Sequence, residues 1–172
     1  MIAARQECET KLDQVANTSS GSLLNHVKQI KDALDDIFTL PWVLSHDDLS
    51  GMNILVDSTT GSLRGVVDWV DATLWPFGVA LYGLEDILGF CNDDGWHWLD
   101  KDPFTCRKLF STTLKAGINL RADRLVTIEM ARKLGVLLRH GFIWRDGGQV
   151  VEQNTTMLET FSDVSMVAPL LT

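Results

Sequence analysis

The chain has 172 residues, 45% of them apolar and 22% charged, with a formal net charge of −8. That size and balance suit one globular domain with a real hydrophobic core. The acidic excess argues against a broad nucleic-acid or anionic-membrane interface, since both need a basic face. Cys8, Cys91 and Cys106 are odd in number and scattered, without paired C-x-x-C spacing, which fits a reducing compartment better than a disulfide framework or a zinc site. The start, MIAARQECETKLDQ, lacks the apolar segment of a signal peptide. No stretch approaches the roughly 18 apolar residues of a membrane span. Together these features predict a cytoplasmic chain with no nucleic-acid and no membrane partner.

Residues 1–21 are polar, end in NTSSG, and read as a frayed lead-in with room for a short helix. From Ser22, Leu23, Val27, Ile30, Leu34 and Ile37 recur at spacings of three and four, one apolar helical stripe. Ser22 is its expected cap, and Pro41 lies beyond its end. Trp42–Leu44 is a short apolar approach to the segment SHDDLSGMNILVD. Ile54–Val56 and Leu63–Val67 flank the turn-rich DSTTGS and predict a β-hairpin. Val79–Phe90 is expected to be a compact apolar helix, followed by loops around Trp96-His97-Trp98. Two further helices are expected over Phe104–Gly117 and Arg121–Trp144, the second stopped by DGG at 146–148. A last helix is expected over Val151–Phe161. The fold class is therefore mainly α with a small β-hairpin (α+β), one domain over 1–172, with the helical remainder over 104–172.

The hairpin carries the chemistry. Asn53 sits just before its first strand and Asp68 just after its second, so an amide oxygen and a carboxylate face each other across about 5 Å. Two hard oxygens from protein, with water and phosphate supplying the rest, is how Mg²⁺ is usually held. Asp48 lies in a loop able to fold back over the same end and accept a proton from an attacking hydroxyl. A base, an asparagine and an aspartate are the parts of a phosphoryl-transfer site. His46, Asp48, Leu49 and Asn53 occupy the H, D, L and N positions of the kinase catalytic loop H-R-D-L-x-x-x-N, and Asp68-Trp69-Val70 stands where D-F-G would follow.

The run HDDLSGMNILVD…GSLRGVVDWVDA resembles the aminoglycoside phosphotransferase family, relatives of choline kinases in the protein-kinase-like fold. The continuation LWPFGVALYGLEDILGF is similar to the helix that follows in fungal-type members. The specific match covers about residues 42–90. The resemblance implies Asp48 as catalytic base, Asn53 and Asp68 as Mg²⁺ ligands, His46 as a structural residue bonding the backbone that presents Asp48, and Trp69 packed beneath the metal site. It also implies ATP as co-substrate and a small-molecule hydroxyl as acceptor; no nucleotide-binding residue is assigned, and oligomeric state is not readable. Asp47 stands where the family usually has glycine, Asp71 is offset from the family's acidic position, and Gly78 falls where many members carry aspartate. No glycine-rich phosphate loop and no V-A-I-K-like strand is present; Lys28 and Lys31 fall on the expected helix. The resemblance is therefore to a C-terminal lobe lacking the N-terminal lobe.

Three readings follow: a small-molecule phosphotransferase lobe active when completed by an N-lobe; a truncated, non-catalytic kinase-like remnant acting as a binding module or without activity; and a stand-alone metal- or phosphate-binding module. Glu85, Asp86, Asp93, Asp94, Asp100 and Asp102 are expected to form a solvated acidic face, with attraction of a cationic acceptor as the alternative. His97 is expected in a loop whose tryptophans cover the core edge, His140 at an exposed helix end, and Cys91 and Cys106 as small core side chains.

Overall fold

The computed structural model describes residues 2–92, 95–118, 121–145 and 147–151. The polar lead-in is a 17-residue helix, α1 (Ile2–Thr18). Its apolar content is small but well placed: Cys8, Leu12 and Val15 recur at four and three and are all buried. Ion pairs Lys11–Glu7 at 2.9 Å and Arg5–Glu9 at 3.0 Å support the exposed side. A stripe three residues wide in a polar segment is easily read as a lead-in, because only its burial against a neighbour makes it a helix.

The expected stripe continues through α2 (Gly21–Asp32) and the short α3 (Leu34–Ile37), with all five residues buried. The helix starts one residue before Ser22, and Ser20 occupies the cap position without a side-chain bond. Against these helices packs α6 (Leu125–His140), which contributes Ile128, Ala131, Leu134 and Leu137 to one contiguous core.

Among the described residues the strands form four separate antiparallel pairs where one hairpin was expected. β1 (Trp42–Ser45) pairs with β4 (Thr73–Pro76), from Trp42 opposite Pro76 to Ser45 opposite Thr73. Inside it sits the expected hairpin, β2 (Ile54–Val56) with β3 (Leu63–Val66), in the register Ile54 opposite Val66. The two pairs are thus nested. Residues 46–53 lead from the outer pair to the inner, and residues 67–72 lead back.

The helix expected over Val79–Phe90 is broken into a 3₁₀ turn, Val79–Tyr82, and α4 (Gly83–Leu88). It ends where Gly89 turns extended and starts β5 (Gly89–Asn92), paired with β6 (Gly95–Trp98). The His97 segment is therefore strand, with His97 stacked on Phe90 at 5.3 Å and its Nε2 2.8 Å from Asn92 Oδ1. α5 (Pro103–Ile118) lies where a helix was expected, and Cys106 on it is half-buried. The long helix α6 stops at His140, earlier than expected. Gly141 closes it and Phe142–Arg145 becomes β7, paired with β8 (Gly148–Val151). The glycines after it serve a strand turn instead of a helix end, with Gly147 at φ 81°. The remainder of the helix expected over Val151–Phe161 lies outside the described residues, as do Asp93 and Asp94 and the Cys91 side chain.

Glu85 is not part of a solvated face. It is fully buried, where its carboxylate accepts from Arg107 and, at 3.1 Å, from Arg132; Arg132 also binds Glu129 at 2.6 and 2.9 Å. Buried charges survive only when paired and hydrogen-bonded in this way. This network ties α4, α5 and α6 together. His140 is likewise largely buried, 3.1 Å from Asp86 Oδ1 and edge-on to Tyr82.

Candidate active site

The nested hairpin explains how residues distant in sequence meet. The backbone N–H of Val67 donates to the Asn53 carbonyl at 2.9 Å, extending the inner ladder by one rung. Asp68 therefore follows directly on the residue that faces Asn53. In the other loop, the Asn53 side-chain amide Nδ2 donates to the Asp48 carbonyl at 2.8 Å and to Asp48 Oδ2 at 3.2 Å. Those two bonds fix the amide's orientation. Nδ2 is committed to Asp48, and Oδ1 is left on the opposite side as a hard oxygen acceptor.

His46 pins the two loops to each other. It is buried, and its Nε2 lies 2.7 Å from the Val67 carbonyl, so the ring carries its proton on Nε2 and donates. Trp69 packs edge-on against it at 4.8 Å and donates from Nε1 to the Val66 carbonyl at 2.9 Å. The resemblance implied a bond from His46 to the backbone that presents Asp48; the bond goes instead to the Val67 carbonyl in the second loop. From the helical side, the Tyr82 hydroxyl donates to the Asp47 carbonyl at 2.8 Å. Burial, with the Asp47 charge adding to it, pushes the Tyr82 phenol above its ordinary range, so it stays a donor.

Among the described residues, Asp47 and Asp68 alone of the non-glycine residues have positive φ, 62° in both cases. One lies in each loop. A left-handed aspartate costs on the order of 1 kcal/mol or more, and such strain gathers where a loop must present a particular atom. The glycine that usually stands at position 47 in the resembled family suits the same backbone region. Asp47 keeps the conformation and adds a half-buried carboxyl. Burial pushes that carboxyl up; the nearby Trp75 indole, Arg139 and Lys11 pull the other way, and Asp71 adds to the rise. The Trp75 N–H is close enough to act on the carboxyl, yet is buried without hydrogen-bonding geometry to any partner.

One participant has no signal near the motif. Arg139, in the last turn of α6, places Nη2 2.5 Å from Asp48 Oδ1. Its sequence separation from Asp48 is 91 residues, so only the folded helix brings it there. Asp48 thus has Oδ1 on Arg139 and Oδ2 on Asn53. Tyr82, the single tyrosine of the chain, was equally invisible as a loop support.

A cavity of about 200 Å³ lies behind this loop, lined by Glu7 and Lys11 of α1, Asp47, Trp75, Tyr82 and Arg139 among others. Among the described residues, no group of three or more histidine, cysteine, aspartate or glutamate side chains could hold a metal ion. The Asn53 amide oxygen and the Asp68 carboxylate are hard-oxygen groups, one carried by each loop.

A family model described as the phosphotransferase enzyme family matches residues 3–84, a little under half of the chain. That stretch is similar to phosphotransferases. It runs from α1 through both loops to the start of α4, so the match includes Asp48, Asn53 and Asp68 and the supports His46 and Tyr82. Arg139, which closes the site from α6, lies beyond it. No curated protein and no solved structure matches the chain. Among the described residues, no helix is long and apolar enough to cross a membrane.

Proposed function

We propose that the chain is the catalytic lobe of a kinase-like small-molecule phosphotransferase, moving the γ-phosphate of ATP to a hydroxyl. The observation that carries this is the Asn53 amide: its two donor contacts to Asp48 commit its nitrogen and leave its oxygen as an acceptor, within a segment that the phosphotransferase family model matches. Asp48 takes the proton as the acceptor oxygen attacks the γ-phosphorus and the bond to the bridging oxygen of ADP breaks. Asn53 and Asp68 would hold Mg²⁺, which offsets the phosphate charge when bound. His46 and Tyr82 hold the loops at fixed spacing, and positioning supplies most of the rate in this chemistry.

The site as described is one wall. Leu44, Met52, Val56, Leu63, Val70 and Leu74, on or beside the nested hairpin, are 56–90% exposed. An apolar rim of this kind around a polar site suits an opposing surface that would cover the nucleotide. We therefore assign the chain the role of a C-terminal lobe completed by an N-lobe. An inactive lobe that only binds is the second reading, supported by the same open rim.

Calorimetric titration of Mg²⁺·ATP into the wild-type chain and Asp68→Ala, followed by a turnover assay with Asp48→Asn, separates the readings. The proposal expects metal-dependent nucleotide binding that Asp68→Ala weakens at least tenfold and Asp48→Asn leaves intact, with turnover lost in both. Equal nucleotide affinity in wild type and Asp68→Ala would refute the assignment; binding without turnover even when an N-lobe is supplied would support the second reading.

A further inference from the structure

The cavity behind residues 46–48 has a charge pattern of its own. Glu7 and Lys11 line it and are paired with each other at 2.9 Å, Lys11 also lying 5.6 Å from the Phe142 ring centroid. Arg139 lines it too, but spends one nitrogen on Asp48, outside the lining. The Asp47 carboxylate lines it and has no ion pair among the described residues; the Trp75 indole N–H acts on it without full hydrogen-bonding geometry. The lining is thus balanced, with two anions and two cations, and it contains one carboxylate without an ion pair beside one cation with spare donors. An arginine carries five N–H donors.

Size narrows the occupant. Ligand pockets usually run about 300–1,000 Å³; this one is about 200 Å³, too small for a multi-ring saccharide. Charge narrows it further. A polyamine would meet Lys11 and Arg139, and a polyphosphate would meet Glu7 and Asp47. We propose that this cavity binds a small zwitterion, its ammonium on Asp47 and its carboxylate on Arg139, with the Trp75 and Tyr82 rings as walls. A carboxylate in the cavity would share Arg139 with Asp48 and leave the Asp48 Oδ1 less encumbered. That link to the base rests on the phosphotransfer reading; the binding itself does not.

The test is a charge-matched panel on the intact chain without nucleotide: L-serine with both charges, ethanolamine with the ammonium alone, glycerate with the carboxylate alone, and glycerol with neither. Binding is read from the Trp75 indole N–H resonance in ¹H–¹⁵N spectra, which also report whether each variant is folded. L-serine is expected to bind at least tenfold more tightly than the other three. Asp47→Asn and Arg139→Gln are each expected to weaken it at least tenfold, whereas Asp68→Ala leaves it unchanged. Equal binding of ethanolamine or glycerate, or no saturable L-serine shift in folded protein, would overturn the proposal. If L-serine fails while Mg²⁺·ATP still binds through Asp68, the zwitterion site falls and the phosphotransfer reading stands. The reverse result removes the phosphotransfer reading alone.

Discussion

Gly135→Ala is a substitution whose sign separates two physical accounts. Gly135 lies inside α6, an element where alanine is favoured over glycine by about 1 kcal/mol. Helix propensity alone therefore predicts stabilisation. Packing predicts the opposite. A Cβ on Gly135 would sit 1.9 Å from the Val79 carbonyl oxygen and 3.0 Å from Tyr82 Cδ1. A carbon needs roughly 3.3 Å from such an oxygen, so the Val79–Tyr82 turn must retreat by roughly 1.4 Å. Overpacking of this kind costs about 1–3 kcal/mol, and the Tyr82 bond to the Asp47 carbonyl adds about 1 kcal/mol if the turn carries it away. Subtracting the propensity gain leaves a net loss of about 2 kcal/mol. For a chain of this size that lowers Tm by about 4–8 °C. Urea unfolding with an unchanged slope, together with a thermal melt, measures it. A variant as stable as wild type, or more so, would mean that α6 and the turn do not approach as closely as described.

Glu85→Gln keeps the side-chain shape but removes the charge that two buried guanidinium groups share. Breaking a buried pair costs about 3–5 kcal/mol, and a loss below about 1 kcal/mol in urea unfolding would contradict the burial of this network. Asp47→Asn removes a carboxyl whose folded pKa is raised by burial. For an acid with a raised folded pKa, the native state binds the extra proton, so stability falls as pH rises from the unfolded value through the folded one. Asp47→Asn is therefore expected to raise Tm at pH 7, with a gain that shrinks as the pH falls through the raised folded value toward the ordinary carboxylate value of 3.8 and is lost below it, helped by the tolerance of asparagine for positive φ. A gain independent of pH would assign the effect to backbone strain, and a loss would show the Asp47 charge to be stabilising.

The legible parts of the sequence were those governed by local rules. The apolar stripe from Leu23 to Ile37 and the hairpin around DSTTGS needed only spacing and turn chemistry, and both are present. The loop positions of Asp48, Asn53 and Asp68 were legible because each is fixed relative to a strand end. What escaped depends on a partner elsewhere. α1 looked like lead-in because its stripe is only three residues wide and acquires meaning against α2 and α6. Glu85 reads as surface in any local window, since its two arginines lie 22 and 47 residues downstream. The end of α6 was misplaced because Phe142 and Ile143 continue an apolar run that suits helix or strand alike, and pairing with β8 decides it.

The supports of the two loops share a logic. His46 joins one loop to the other, Tyr82 joins the first loop to the turn packed on α6, and Arg139 joins Asp48 to the end of α6 itself. Each bond is made by a different element, so no single local rearrangement releases Asp48. The turn that carries Tyr82 is held in turn by two close approaches to α6, at Gly78 with φ 108° and at Gly135. A side chain at position 78 would meet the Ile128 carbonyl at 2.9 Å, which is why an aspartate has no room there. The loop geometry is therefore set by the helical core and not by the hairpin alone. A core substitution such as Gly135→Ala should reach the site through Tyr82 before it unfolds the chain, whereas a change at the tip of the hairpin, around Thr59 and Thr60, should leave Asp48 where it is.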